Sequence, residues 1–196
     1  VDHYERQIMK IADVIKFIKD RNNRGNILSF TGYSIESIIG RIIWPVFLII
    51  LILTPVKVGI MLTLSLIISL LAYYFIGKYT DRYDKSFLLK IGTVLYFFGW
   101  LSRLFVNTPL KAVLVDSYKN TSEKLLQIPW SAKSYDIAKR QNTFIFIISR
   151  EIIFNASRII FLPILILMFY IDFHPFLISF TLASLFTLLY PLLGIK

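Results

Sequence analysis

The sequence has no cysteine and only two histidines, His3 and His174, near its two ends. Disulfides, thiolate metal sites, iron–sulfur clusters and cysteine nucleophiles are therefore excluded, and no histidine pair is placed for metal binding or catalysis. No Gly-x-Ser-x-Gly, Walker A or His-Glu-x-x-His pattern is present, so the usual signatures of a serine hydrolase, a phosphate loop and a zinc protease are missing. Neither enzymatic activity nor a bound cofactor is expected. Acidic residues are scarce as well: 12 Asp and Glu face 22 Lys and Arg, a net charge of +10. Charged residues make up only 17% of the 196, where ordinary soluble domains carry about a quarter.

Apolar residues take their place. Hydrophobic types make up 56% of the chain and its mean hydropathy is +0.66. A disordered chain needs the opposite composition. One core of this length cannot hide so much apolar surface, which argues against an ordinary soluble domain. A basic excess on such a chain marks either a nucleic-acid patch or one side of a membrane, and the distribution of the charge decides between them.

Residues 1–32 are polar enough to stand apart. Ile8, Ile11, Ile15 and Ile18 recur at three- and four-residue steps, which predicts an amphipathic helix, and the stretch Asn22 to Asn26 is expected to break it. Six hydrophobic segments follow, near 34–54, 57–77, 87–106, 109–134, 143–170 and 173–195. The second and sixth are long and uncharged enough to span a bilayer core of about 30 Å by themselves. The first, third and fifth have shorter uncharged cores, and the fourth is much more polar.

Six crossings with both termini in the cytoplasm place fifteen Lys and Arg inside, in 1–32, 77–90, 133–150 and Lys196. Only Lys57, Arg103 and Lys111 fall on the outer connections. That bias follows the positive-inside rule and removes the need for a nucleic-acid partner. Without a crossing by the fourth segment, 77–90 and 133–150 would lie on opposite sides. The expected fold is an all-α membrane protein: a cytoplasmic amphipathic helix in 1–32, then six transmembrane helices in 33–196, arranged as two three-helix repeats. The expected location is the cytoplasmic (inner) membrane.

Polar residues inside these segments stand out, because a charge near the bilayer centre costs at least about 2.5–3.5 kcal/mol. The first segment holds Glu36 and Arg41, five apart and so poorly spaced to pair with each other. The fourth holds Asp116, Asn120, Glu123 and Gln127 on one helical face, flanked by Lys119 and Lys124; the fifth holds Glu151, Asn155 and Arg158. Two readings stand: structural ion pairs with snorkelling lysines, or a polar pathway lined by the first and fourth segments with the fifth adjoining.

The connection after the second segment reads Gly77-Lys78-Tyr79-Thr80-Asp81-Arg82-Tyr83-Asp84-Lys85. Here the chain resembles the major facilitator superfamily, whose cytoplasmic signature is Gly, three residues, Asp, Arg or Lys, one residue, Gly and two basic residues. Gly77, Asp81, Arg82 and Lys85 match; Asp84 replaces the second glycine and Ser86 the last basic residue. Trp44-Pro45, Ser134-Tyr135-Asp136, and Arg150-Glu151 with Asn155 and Arg158 are also similar to the C-terminal half of bacterial members.

The resemblance implies one six-helix half of a secondary transporter that moves a small solute by alternating access. The first and fourth helices would line the cavity, the second and fifth would gate it, and the third and sixth would lie outside. Glu36, Arg41, Asp116, Asn120, Glu123 and Arg158 become the candidate pathway. Glu36, Asp116 or Glu123 would carry a coupling proton, and Arg41 or Arg158 would hold an anionic substrate or neutralise those acids. Gly77, Asp81, Arg82 and Lys85 become the cytoplasmic gate. Because the sequence begins at Val1 rather than Met, an N-terminal half elsewhere, or a second copy, is the expected partner beside the lipid bilayer. The alternative expectation is a six-helix membrane subunit that does not transport, serving as scaffold or partner-binding module.

Overall fold

The computed structural model describes residues 11–80, 84–172 and 174–195, and their side chains apart from those of 75–80 and Lys85. Among the described residues seven helices run in order: α1 (Ile11–Lys19), α2 (Arg24–Ile52), α3 (Pro55–Thr80), α4 (Lys85–Ser102), α5 (Pro109–Arg140), α6 (Thr143–Ile171) and α7 (Pro175–Thr187). Short 3-10 turns occupy Arg21–Asn23, Arg103–Phe105 and Tyr190–Leu192, and there is no strand among the described residues.

Local chemistry sets the boundaries. Leu53 adopts the left-handed conformation (φ 55°) and closes α2; Pro55, pre-set for a first helical turn, opens α3. Asp84 caps α4 by accepting from the Ser86 and Phe87 amides, both at 3.1 Å. Thr108 caps α5 just before Pro109, and Asn142 caps α6. The break expected over Asn22–Asn26 lies one turn earlier, at Asp20–Asn23. Asn26 is already helical, buried, and accepts from the Gly194 amide at 2.9 Å.

Five stretches, 21–52, 55–74, 86–105, 143–171 and 175–192, are helical, long and apolar enough to cross a membrane, which makes this a multi-pass membrane protein. At 32 residues α5 is long enough but too polar to be counted with them. Apolar side chains such as Ile67, Leu71, Ile159, Leu167 and Tyr170 are exposed on α3 and α6, as suits surfaces turned to lipid.

Packing divides the helices into two sets. α2 lies against α6 and α7, and α5 lies against α3 and α4; the sets join where α4 meets α7 and α2 meets α3. Glycine permits the closest approaches. A Cβ on Gly92 would stand 2.8 Å from the Leu126 Cα, and one on Gly99 would stand 3.2 Å from the Lys119 Cα, so α4 and α5 touch almost backbone to backbone. The terminal helix α1 packs on α6 through Val14 and Phe17, with the Phe17 and Phe146 rings 5.8 Å apart. The isoleucine stripe therefore does not face the bundle: Ile11, Ile15 and Ile18 are exposed. Ile8 lies outside the described residues.

Candidate functional site

Glu36 lies in the middle of the bundle, buried, where α2 faces α4 and the C-terminal 3-10 turn. Its carboxylate accepts from the Tyr96 hydroxyl at 2.5 Å, from Trp100 Nε1 at 3.1 Å and from the Tyr190 hydroxyl at 2.8 Å. All three donors are neutral. Beside them Lys119 Nζ pairs with Glu123 at 2.8 Å and sits 5.2 Å from the Tyr96 ring and 5.3 Å from the Trp100 ring. The ammonium is thus held by one carboxylate and the faces of two aromatic rings.

A second buried group lies farther along α4 and α5. Arg103 donates to Asp116 at 2.8 Å, and both are almost fully buried. The guanidinium is sandwiched between Trp44 at 4.0 Å and Trp100 at 4.3 Å. Asp116 also accepts from Ser65 at 2.6 Å and from Asn120 at 3.1 Å. Arg103, assigned from the sequence to an outer connection, is instead an interior ion-pair partner. The turn after α4 folds it inward, where Asp116 offsets the cost of burying it.

Three adjoining clefts open on α5 and share Gln127. One of about 290 Å³ lies between α2 and α5, lined by Tyr33, Glu36, Arg41, Lys119, Glu123 and Lys124 among others. A second of about 280 Å³ lies toward α6, with Tyr33, Trp130, Arg150, Phe154 and Arg158. The third, about 590 Å³, separates α3 from α5 along Ser69, Tyr73, Asn120 and Ser131. α3 and α5 touch at Ser65–Asp116 and Ser69–Ser117 and part beyond them.

The structure thus brings Glu36, Arg41 and Glu123 to one cleft, Asn120 to the next and Arg158 to the remaining one. Asp116 lies past the end of the clefts, enclosed by Arg103, Ser65 and Asn120. Neither Glu36 nor Arg41 uses the other. In α6, Arg150 pairs with Glu151 at 3.0 Å, Asn155 donates to the Glu151 carbonyl, and Arg158 lies 5.8 Å from the Phe154 ring. Of the gate residues, Asp81 and Arg82 lie outside the described residues; Gly77 belongs to α3 and Lys85 opens α4. Asp84, which departs from the family signature, serves as the α4 cap.

The aromatic cage of Glu36 was not foreseen. The available signal is that Tyr96 and Trp100 stand four apart on an apolar helix, and a buried Tyr or Trp needs a partner for its O–H or N–H. No protein-family model, curated protein or solved structure matches the chain.

Proposed function

We propose that the chain is a six-helix half of a secondary transporter of the major facilitator type, moving a small solute across the cytoplasmic membrane by alternating access. The observation that carries this reading is the convergence of Glu36, Arg41, Lys119, Glu123 and Lys124 on one cleft between α2 and α5. Charges near the middle of membrane helices are costly unless they face water, a solute or a partner body. In this reading α5 is the sixth crossing, polar because it lines the pathway, and both termini are cytoplasmic. A second six-helix body, either a preceding half or a second copy, supplies the opposite wall.

The exchange of packing partners supports two three-helix repeats, α2–α4 and α5–α7. The leading helix of each packs on the second and third helices of the other: α2 on α6 and α7, α5 on α3 and α4. Of the two leading helices α5 is the highly charged one, while α2, with Arg24, Glu36 and Arg41, carries no more charged residues than α6. Gly77, Asp81, Arg82 and Lys85 would act at the cytoplasmic gate. Glu36 and Glu123, which face the cleft, are the stronger candidates for a coupling proton, and Asp116 holds Arg103.

The test is solute-driven proton movement into proteoliposomes holding the full-length protein, screened across small anions, zwitterions and neutral solutes. At least one solute should drive a flux that Glu123→Gln uncouples from pH. Absence of flux with every class would reject the transporter reading.

A further inference from the structure

The two clefts that meet at Tyr33 carry more positive than negative charge, and the pairing within them leaves particular cations over. In the first, Lys119 is matched by Glu123 at 2.8 Å, and Glu36 is satisfied by three neutral donors. Lys124 donates to the Gln127 side-chain oxygen at 3.1 Å and lies near the Glu123 carboxylate. In the second, Arg150 is matched by Glu151. Arg41 and Arg158 remain. Neither has an acidic partner among the described residues, and both belong to helices long and apolar enough to cross a membrane. A guanidinium in such a helix is costly unless water, a partner or an anion reaches it, and both arginines open onto the clefts.

Aromatic surface joins the two clefts. Tyr33 lines both clefts. Its ring stacks on Trp130, 5.1 Å away and nearly parallel at 12°, and lies 4.9 Å from Phe154. Arg158 lies 5.8 Å from the Phe154 ring. The combination is an aromatic wall shared by the two clefts, with Arg41 lining one and Arg158 the other. Guanidinium groups recognise carboxylates by paired hydrogen bonds, and aromatic walls favour flat apolar bodies. Each cleft, near 280–290 Å³, suits a small molecule.

From this we infer that the solute is a small flat organic carboxylate, its anionic group held by Arg158, with Arg41 in the adjoining cleft adding positive potential, and its unsaturated body laid against Tyr33 and Phe154. The inference rests on the reading of these clefts as a solute pathway and names the class of solute.

The probe is benzoate, titrated by calorimetry into the full-length protein in detergent, with benzamide, benzylamine and inorganic phosphate as comparisons. Benzoate should bind, and the neutral and cationic analogues should bind at least about tenfold more weakly, a loss on the scale of one charge-assisted hydrogen bond. Arg158→Gln should weaken benzoate by a similar factor and Arg41→Gln by less, neither lowering the melting temperature of the unliganded protein. Arg158→Lys should restore part of the loss, and Lys57→Gln, outside the clefts, should change nothing. Phosphate binding as tightly as benzoate would overturn the role of the aromatic wall. No benzoate binding, equal binding of benzamide or benzylamine, or unchanged affinity in both glutamine variants would overturn the inference.

The transporter reading fails separately. Benzoate binding that depends on the two arginines but is accompanied by no flux of any solute would reject transport and keep the anion site. Flux of a neutral solute, indifferent to both arginines, would do the reverse.

Discussion

Trp100 donates its indole N–H to Glu36 at 3.1 Å while the same ring lies 4.3 Å from the Arg103 guanidinium. One side chain of α4 therefore touches a buried carboxylate and a buried cation, and ties α2 to the α4–α5 turn. Trp100→Phe keeps an aromatic face for Arg103 but removes the donor. The expected loss is about 1.5–3 kcal/mol, the scale of a hydrogen bond to a charged group. Trp100→Ala, which removes the ring as well, should cost about 3–5 kcal/mol. Unfolding midpoints of the detergent-solubilised protein measure both, and a Phe variant as stable as the parent would show that the bond contributes nothing.

The Arg103–Asp116 pair makes a different prediction. Asp116→Ala leaves a guanidinium buried between two indoles without a counter-charge, so it should destabilise by about 3–5 kcal/mol. Adding Arg103→Met should recover much of that loss, because an apolar pair of similar volume carries no desolvation penalty. The double-mutant cycle is read by thermal melts. In the transporter reading, Asp116→Asn should leave the pH dependence of solute flux unchanged, unlike Glu123→Gln; a shift in that dependence would return Asp116 to the pathway.

Much of this division was legible in the sequence, and the missing part has a geometric cause. The apolar runs correspond to the five membrane-long helices, and the polar face of the fourth segment is real: Asp116, Asn120, Glu123 and Gln127 do share one side of α5. What a helical face does not reveal is where along its length neighbours close over it. α3 seals that face at Ser65–Asp116 and leaves it open at Asn120 and beyond. Arg103 was misplaced for a similar reason. Charge counting treats a residue near a helix end as belonging to the loop, whereas here the turn carries it inward to an acid thirteen positions later. The isoleucine stripe of α1 shows the converse: periodicity located an apolar face, but Val14 and Phe17 beside it make the contact with α6.

Backbone proximity at Gly92 predicts a sharp size limit. A Cβ there would lie 2.8 Å from both the Cα and the N of Leu126, so even Gly92→Ala must push α4 away from α5, and Gly92→Leu should prevent the pair from seating. Gly59, with nothing within 4 Å of its added Cβ, is the matched control. Gly59→Ala should accumulate in membranes and elute from gel filtration as the parent does. Gly92→Leu should fail in one or both assays, and normal behaviour would mean that α4 and α5 are not so closely packed.

The absence of cysteine makes the chain its own background for deciding whether α5 crosses the membrane. Asn107 precedes α5 and Gln141 follows it; both are exposed and 32 helical residues lie between Pro109 and Arg140. At 1.5 Å per residue such a helix exceeds a hydrocarbon core of about 30 Å. Single variants Asn107→Cys and Gln141→Cys, probed in intact cells with a membrane-impermeant maleimide, report the side directly. Six crossings with cytoplasmic termini require labelling at 107 from outside and at 141 only after the membrane is opened. Labelling of both from one side would confine α5 to that side, leave five crossings, and separate the basic stretches 77–90 and 133–150 across the bilayer. The same outcome would remove α5 as a wall of a transmembrane pathway, since Lys119, Glu123 and Lys124 would then no longer stand at the depth of Glu36 and Arg41.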